Sequence, residues 1–346
     1  MQKNPEIAII IPAYNAEKYI EKALQSILGQ SYADIEITVV DDGSTDNTAA
    51  LVADIAAKDH RVKLLSIANG GPANARNKGL EAVKGTADYI AFCDADDELL
   101  PDALEKALAA AESGSDMVLF GFTIINPDGS RNDYFEPDGV YTSNNLGTAL
   151  ADLYKANLLN QVWAKLFRAE LIYNNNITFQ NYRWGEDRLF IFDCVEHSEQ
   201  ISVISYCGYH YLMYNSSSLI TGFYDKKATV CAIADIRAQE LCAKYGVTDD
   251  SYFRYMFAKS IISCMTNMFS PTCHMSRSEK RSYIKYIITN DYIQERCRCS
   301  SGGAAVKVLT GIMRTRNISL NMFAARAVAA AGKISPKLFQ LIKHKK

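Results

Sequence analysis

Four short, unbroken apolar runs open the chain at intervals of 26 to 28 residues: Ile7 to Pro12, Ile35 to Val40, Val62 to Ser66 and Asp88 to Cys93. Each is rich in Ile and Val and lacks polar alternation, the pattern of a strand buried on both faces. Between the runs the spacing changes to that of helices. Ile20, Ala23, Leu24, Ile27 and Leu28 recur at i, i+3, i+4, i+7 and i+8 and stop at Gly29. Leu51, Val52, Ile55 and Ala56 follow the start signal Ser44-Thr45-Asp46, and a third helix runs from about Pro72 to Val83 before Gly85. Strands alternating with helices predict a mostly parallel, Rossmann-like α/β sheet with right-handed crossovers. A helix from Asp102 to Ala111 and a fifth run, Asp116 to Phe122, come next, then Asn126-Pro127-Asp128-Gly129 as the turn of a hairpin. Two more strands are expected, Ile201 to Ser205 and Gly208 to Tyr214. From Tyr224 the pattern is helical, with breaks at Gly246, Pro271 and Gly302-Gly303, which places a boundary near residue 222.

The polar residues gather where the strands end. The first run exits into Pro12-Ala13-Tyr14-Asn15, the second into Asp41-Asp42-Gly43-Ser44-Thr45-Asp46, the third into Asn69-Gly70-Gly71 and the helix with Arg76 and Asn77, and the fourth into Asp94-Ala95-Asp96-Asp97-Glu98. In an open parallel sheet ligands bind beyond these carboxyl ends, so four such loops on one edge describe a pocket. Tyr14 offers a flat face for a base and Asp42 an acceptor for a base or ribose. The Gly70-Gly71 turn admits close backbone approach, and the helix N-terminus behind it with Arg76 favours phosphate. Packed carboxylates repel unless a cation or donors hold them, so Asp94 and Asp96 are candidate ligands for Mg²⁺ or Mn²⁺. Asp97 and Glu98 are left to cap the helix that follows. Each residue also has a plain alternative: core packing for Tyr14, a turn and N-cap over Asp41 to Asp46, a solvated helix face for Arg76.

Composition narrows the class of protein. With 48% apolar, 10% aromatic and 22% charged residues the chain is an ordinary globular sequence, and no stretch reaches the roughly 18 apolar residues of a membrane span. The polar start, Met1 to Glu6, precedes too short an apolar run for a signal segment. Nine cysteines without paired spacing then read as reduced thiols, which sets a cytoplasmic expectation. The net charge of −2 hides an asymmetry: Cys299 to Lys346 carries nine Lys or Arg and no Asp or Glu, leaving 28 basic against 39 acidic groups, or −11, on the rest. An acidic body disfavours nucleic acid.

The series Ile9-Ile10-Ile11-Pro12-Ala13-Tyr14-Asn15, Val39-Val40-Asp41-Asp42-Gly43-Ser44-Thr45-Asp46, Ala75-Arg76-Asn77-Lys78-Gly79 and Asp94-Ala95-Asp96 resembles the family 2 glycosyltransferases with the GT-A fold. Val162-Trp163-Ala164-Lys165-Leu166-Phe167, Trp184-Gly185-Glu186-Asp187 and Tyr209-His210-Tyr211 with Ser216 to Ile220 are similar to later blocks of bacterial members that build surface polysaccharides. The resemblance implies a catalytic domain over residues 1–222, with a nucleotide-sugar half (1–122) and an acceptor half (123–222), and a helical extension over 223–346. It also implies a metal-dependent, inverting transfer from a nucleotide-sugar, a UDP-sugar first among them, to a glycan or lipid-linked hydroxyl. Tyr14 and Asp42 would hold the base with Pro12 shaping the loop, Arg76 and Asn77 would approach the nucleotide, Asp94 the ribose or metal, and Asp96 the metal. Asp187 would be the general base and Glu186 its neighbour on the acceptor; Trp163, Lys165, Trp184 and His210 lie on the acceptor side. First-turn capping is the alternative for Glu186-Asp187. The Arg that many relatives carry after Tyr-x-Tyr is replaced here by Leu212 and Met213.

Two rival readings are a sugar-nucleotide pyrophosphorylase and an inactive sugar-binding protein. The first expects a glycine-rich basic loop after the first strand, where Pro12-Ala13-Tyr14-Asn15-Ala16-Glu17 stands; the second expects loss of Asp94, Asp96 or Asp187. Beyond the body, Leu320, Phe323, Ala324, Ala327 and Val328 with Arg326 form an apolar stripe. Ser335-Pro336 then opens a segment with Leu338, Phe339, Leu341 and Ile342 among Lys337, Lys343, Lys345 and Lys346. That basic amphipathic end implies peripheral contact with the inner face of a membrane or, equally, a solvated face packed on the body.

Overall fold

The computed structural model describes residues 6–214, 223–298 and 303–334. They divide into two compact units, Met1–Asn215 and Ser216–Lys346. The first begins β1 (Ile7–Ala13), α1 (Ile20–Leu28), β2 (Ile35–Asp41), α2 (Thr48–Ala56), β3 (Val62–Ser66), α3 (Pro72–Ala82) and β4 (Tyr89–Phe92). It continues with β5 (Glu98–Leu99), α4 (Ala103–Ala111), β6 (Met117–Ile125), β7 (Arg131–Tyr134), β8 (Gly139–Thr142), α5 (Leu146–Lys155), β9 (Lys165–Arg168), α6 (Ala169–Asn174), α7 (Glu186–His197) and β10 (Gln200–Leu212).

The ten strands form one sheet in the order β3-β2-β1-β4-β9-β6-β10-β5, with β7 on β6 and β8 on β10. β1 to β4 are mutually parallel, and β9 enters antiparallel between β4 and β6. Burial on both faces holds for β1 and β4, with Ile7 to Ile11 of β1 wholly inaccessible, but not for edge strand β3, whose Lys63 and Ser66 are exposed; α1 turns Ile20, Ala23, Leu24 and Ile27 onto the sheet. Each such Ile or Leu side chain contributes roughly 1.5–3 kcal/mol. The expected strands over 201–205 and 208–214 are a single strand, β10, which β6 follows through two register shifts between Ile204 and Tyr209. A bulge of this kind breaks the sequence periodicity without ending the strand.

One close contact sets the position of α3. A Cβ on Gly79 would lie 2.4 Å from Ile10 Cγ2 on β1. Gly79→Ala is therefore expected to destabilise the unit by roughly 1–3 kcal/mol, the usual penalty for overpacking, and to push the helix bearing Arg76 off the sheet. Urea unfolding checks this; an unchanged midpoint would mean that Ile10 yields freely.

The second unit contains α8 (Lys227–Lys244), α9 (Ser251–Asn267), α10 (Arg277–Thr289), α11 (Asp291–Arg296), α12 (Ala304–Arg314) and α13 (Ile318–Ile334). Its core includes Val230, Phe257, Ile261, Ile284, Ile287 and Met313. Buried Arg296 donates to both carboxylate oxygens of Asp235 and to Asp250, tying α11 to α8 and to the start of α9. Ser216 to Ile220 and the basic segment after Ser335 lie outside the described residues.

Candidate active site

The loops at the carboxyl ends of β1, β2 and β3 are sewn together by their own polar side chains. Asn15 N–H donates to Ser44 Oγ at 2.9 Å, and Asn15 Oδ1 accepts from Thr45 N–H at 2.8 Å. Asp42 is buried and spends both oxygens on the third loop, each accepting at 2.8 Å from the N–H of Gly70 or Gly71. Gly71 does this at φ +86°, in the left-handed region open to glycine. Pro12 is half-buried at the end of β1, and Tyr14 beyond it is 53% exposed, a free flat face at the mouth of these loops.

Across from that mouth, one guanidinium gathers three carboxylates. Arg76, on α3 and almost wholly buried, donates from Nη2 to Asp94 at 2.9 Å and from Nη1 to Asp187 at 2.7 Å and Glu186 at 3.2 Å. Glu186 and Asp187 sit in the first turn of α7, entered through Gly185 at φ +83°. Burial works against the Arg76 charge, but Asp187, Asp94 and Glu186 outweigh it and raise its pKa further. The carboxylates are under-compensated, because Arg76 is the one cation hydrogen-bonded to the three and Lys165 adds only a weaker pull on Asp187. Burial pushes Asp187 up to about 8 against the pull of Arg76, with Glu186 and Asp94 adding to the rise. Arg76 Nε is buried and meets no acceptor among the described residues, so the group has a donor to spare.

Asn77, next on α3, does a different job. Its amide donates to the Phe179 carbonyl and accepts from the Phe179 N–H, both at 2.8 Å, and the Phe179 ring stacks 4.0 Å from Phe190 on α7. It thereby holds α7, and with it Asp187, against α3.

The acidic run after β4 is divided between surface and interior. Asp94 is half-buried; Asp96 keeps an exposed surface, but the protein atoms packed around its carboxyl partly desolvate it, and this, followed by the charge of Asp94, pushes its pKa up to about 6. Asp97 and Glu98 do not cap a helix. Asp97 is buried, accepting from Tyr209 O–H at 2.8 Å and Leu212 N–H at 2.9 Å, and Tyr209 Oη in turn accepts from Asp94 N–H at 3.1 Å. Glu98 lies in β5 and pairs with Lys22, while α4 starts behind Asp102. Burial, Asp94 and Asp96 raise the Asp97 pKa well above the carboxylate range. The difference arises because the partners of Asp97 on β10 are distant in sequence. Tyr209 and Asp97 are thus site residues that no local signal reveals, although Tyr209 belongs to a block singled out by resemblance.

No set of three or more His, Cys, Asp or Glu arranged for a metal occurs among the described residues. Asp94 and Asp96 supply two hard oxygens, which suits an ion such as Mg²⁺ or Mn²⁺ that completes its shell with phosphate oxygens and water.

The acceptor-side residues separate. Trp163 is buried and stacks on Tyr209 (4.5 Å) and Tyr211 (5.6 Å), forming a wall behind the acidic run. Lys165 is 1% exposed and donates to the Trp163 carbonyl at 3.2 Å; burial lowers its pKa to about 7 against the pull of Asp187. Trp184 is half-buried, with the Arg188 guanidinium 5.9 Å from its ring centre. His210 pairs across to Glu98 on β5 and is influenced by Arg131 and Asp133, so it is not among the groups gathered at Arg76.

Residues 8–164 match the sequence profile of Glycosyl transferase family 2. It is 32% identical over 206 residues to the uncharacterized glycosyltransferase EpsJ of Bacillus subtilis, an alignment covering 58% of this chain and 59% of EpsJ. The chain thus spans less than two thirds of that relative. Among solved structures it is similar to Staphylococcus aureus TarS 1-349 in complex with UDP-GlcNAc, with TM-score 0.67, 21% identity and coverage of 94% and 92%. A mannosyltransferase of Pyrobaculum calidifontis in complex with GDP-Man and Mn²⁺ gives TM-score 0.53 at 16% identity, covering 97% and 89%. These likenesses bear on the fold, which is GT-A.

Proposed function

We propose that the chain is an inverting glycosyltransferase that moves a sugar from a nucleoside-diphosphate donor, a UDP-sugar first among them, to a hydroxyl of a glycan or lipid-linked acceptor in surface-polysaccharide synthesis. The observation that carries this reading is the grip of Arg76 on Asp94 at the donor side and on Asp187 and Glu186 at the acceptor side. It sets a candidate leaving-group site and a candidate base on one guanidinium.

In this reading the base of the donor lies on Tyr14, and the pyrophosphate extends past the N-terminus of α3 toward Asp94 and Asp96. A Mg²⁺ or Mn²⁺ held by Asp94 and Asp96 would neutralise the charge that develops on the departing diphosphate. Ionised Asp187 takes the proton of the acceptor hydroxyl as its oxygen attacks the anomeric carbon and the bond to the diphosphate oxygen breaks. Arg76 and Glu186 orient that carboxylate. Trp163 and Trp184 bound the acceptor, and a lipid-linked acceptor would bring the enzyme to the inner face of the cell membrane.

Support comes from the family match over residues 8–164, from the likeness to EpsJ, and from the nucleotide-sugars bound by the S. aureus and P. calidifontis proteins. A thermal-shift panel of UDP-, GDP- and dTDP-sugars with and without Mn²⁺ tests it. UDP-sugars are expected to raise the melting temperature only when the metal is present, by the mass-action term of a ligand that binds the folded state. No shift with any nucleotide would overturn the donor site.

A further inference from the structure

The two most exposed large apolar side chains among the described residues are Phe323 (72%) and Val308 (61%), and both lie in the part of the chain that has no acidic residue. Leu320, also exposed, precedes Phe323 by three positions on α13, and exposed Arg326 follows it by three, so the trio shares one face. On α12, exposed Lys307 and Val308 are followed two turns on by exposed Arg314. The opposite faces are packed: Val306, Leu309 and Met313 of α12 are buried, as are Asn321, Ala324 and Ala325 of α13. Asn321 fixes the pair by donating to the Ile312 carbonyl at 3.1 Å. The expected stripe is corrected accordingly: Ala324 belongs to the interior, whereas Leu320 and Phe323 face outward.

We infer that the outer faces of α12 and α13 dock on an anionic lipid bilayer. Large apolar side chains held in water beside cations, with no anion in the segment, match an interfacial helix whose aromatic enters the acyl boundary while Lys and Arg meet headgroup phosphates. The chain continues from α13 into residues 335–346, which add Lys337, Lys343, Lys345 and Lys346 and no acid. A second copy of the same face is disfavoured because Lys307, Arg314 and Arg326 would meet the same three cations. Nucleic acid would satisfy the charges but leave Phe323 and Val308 in water. This goes beyond the sugar-transfer reading, and its test uses no sugar donor.

The experiment is flotation of the full chain with vesicles of phosphatidylcholine alone and of phosphatidylcholine rich in phosphatidylglycerol. Partition is expected to be at least roughly tenfold greater on the anionic vesicles and to fall with added salt. Val308→Ser combined with Phe323→Ser should lower it by roughly tenfold or more while circular dichroism and the melting temperature stay as in the wild type. Arg314→Gln with Arg326→Gln should lower it on anionic vesicles only. Equal partition on neutral and anionic vesicles, or undiminished binding by the Ser double variant, would overturn the assignment. So would a wild-type dimer that the Ser variant converts to a monomer without any vesicle binding, or tighter retention on duplex DNA than on anionic vesicles.

Discussion

Asp187→Asn is expected to lower sugar transfer by roughly 10² to 10⁴, the range for loss of a general base, while leaving nucleotide binding close to that of the wild type. The substitution keeps an oxygen for Arg76 Nη1, now 2.7 Å from the carboxylate, so the fold of the site should survive. It removes the group that accepts the proton. The pH profile carries a second signature. Because burial raises the Asp187 pKa to about 8, the wild-type rate should climb as pH rises toward and through that value, and the variant should lose this limb. Stability moves the other way: a carboxyl whose pKa is raised on folding stabilises fully below its ordinary 3.8, and that contribution is lost as pH rises through about 8. Transfer assays from pH 6 to 9 decide the matter, and wild-type turnover by the Asn variant would remove Asp187 from the mechanism.

Arg76→Met should have the largest effect on stability. It deletes the one cation that faces Asp94, Glu186 and Asp187, and breaking a buried ion cluster by removing one side costs roughly 3–5 kcal/mol. For a unit of this size that corresponds to a fall in melting temperature on the order of 10 °C. Arg76→Lys should recover only part of it, because an ammonium cannot span two anions as the guanidinium fork does. Donor binding and transfer would both fall, since the residue orders carboxylates on both sides. A melting temperature within a degree or two of the wild type would show that the carboxylates are satisfied without Arg76.

The strands β1 to β4 were legible because their Ile, Val, Leu and aromatic residues dominate short segments bounded by turn signals, even at edge strand β3 with its exposed Lys63, and the loops at their carboxyl ends advertise themselves by Asp, Asn and Gly. Short or irregular elements were not. β9 is four residues beginning with a lysine, and β10 is split in sequence by irregularities at Ser205-Tyr206 and Gly208, on either side of the paired Cys207. Sequence could nominate Asp94, Asp187 and Arg76 separately, but their meeting depends on packing α3 against α7 through Asn77, Phe179 and Phe190. Asp97 differs from the expected cap for the same reason. An acidic residue just before a helix looks like a cap until Tyr209 and Leu212, brought over by the sheet, take its oxygens. On α13 the apolar pattern was visible, yet which of its faces is outward depends on Asn321 reaching the Ile312 carbonyl.

The division of labour between the acidic groups is tested most directly by calorimetric titration of UDP with Mn²⁺ into the wild type, Asp96→Asn and Asp187→Asn. The account predicts metal-dependent binding that survives Asp187→Asn and is lost, or weakened by at least roughly tenfold, in Asp96→Asn, as expected when a charged metal ligand is removed. Unchanged metal-dependent binding by the Asp96 variant, or its loss in the Asp187 variant alone, would contradict it.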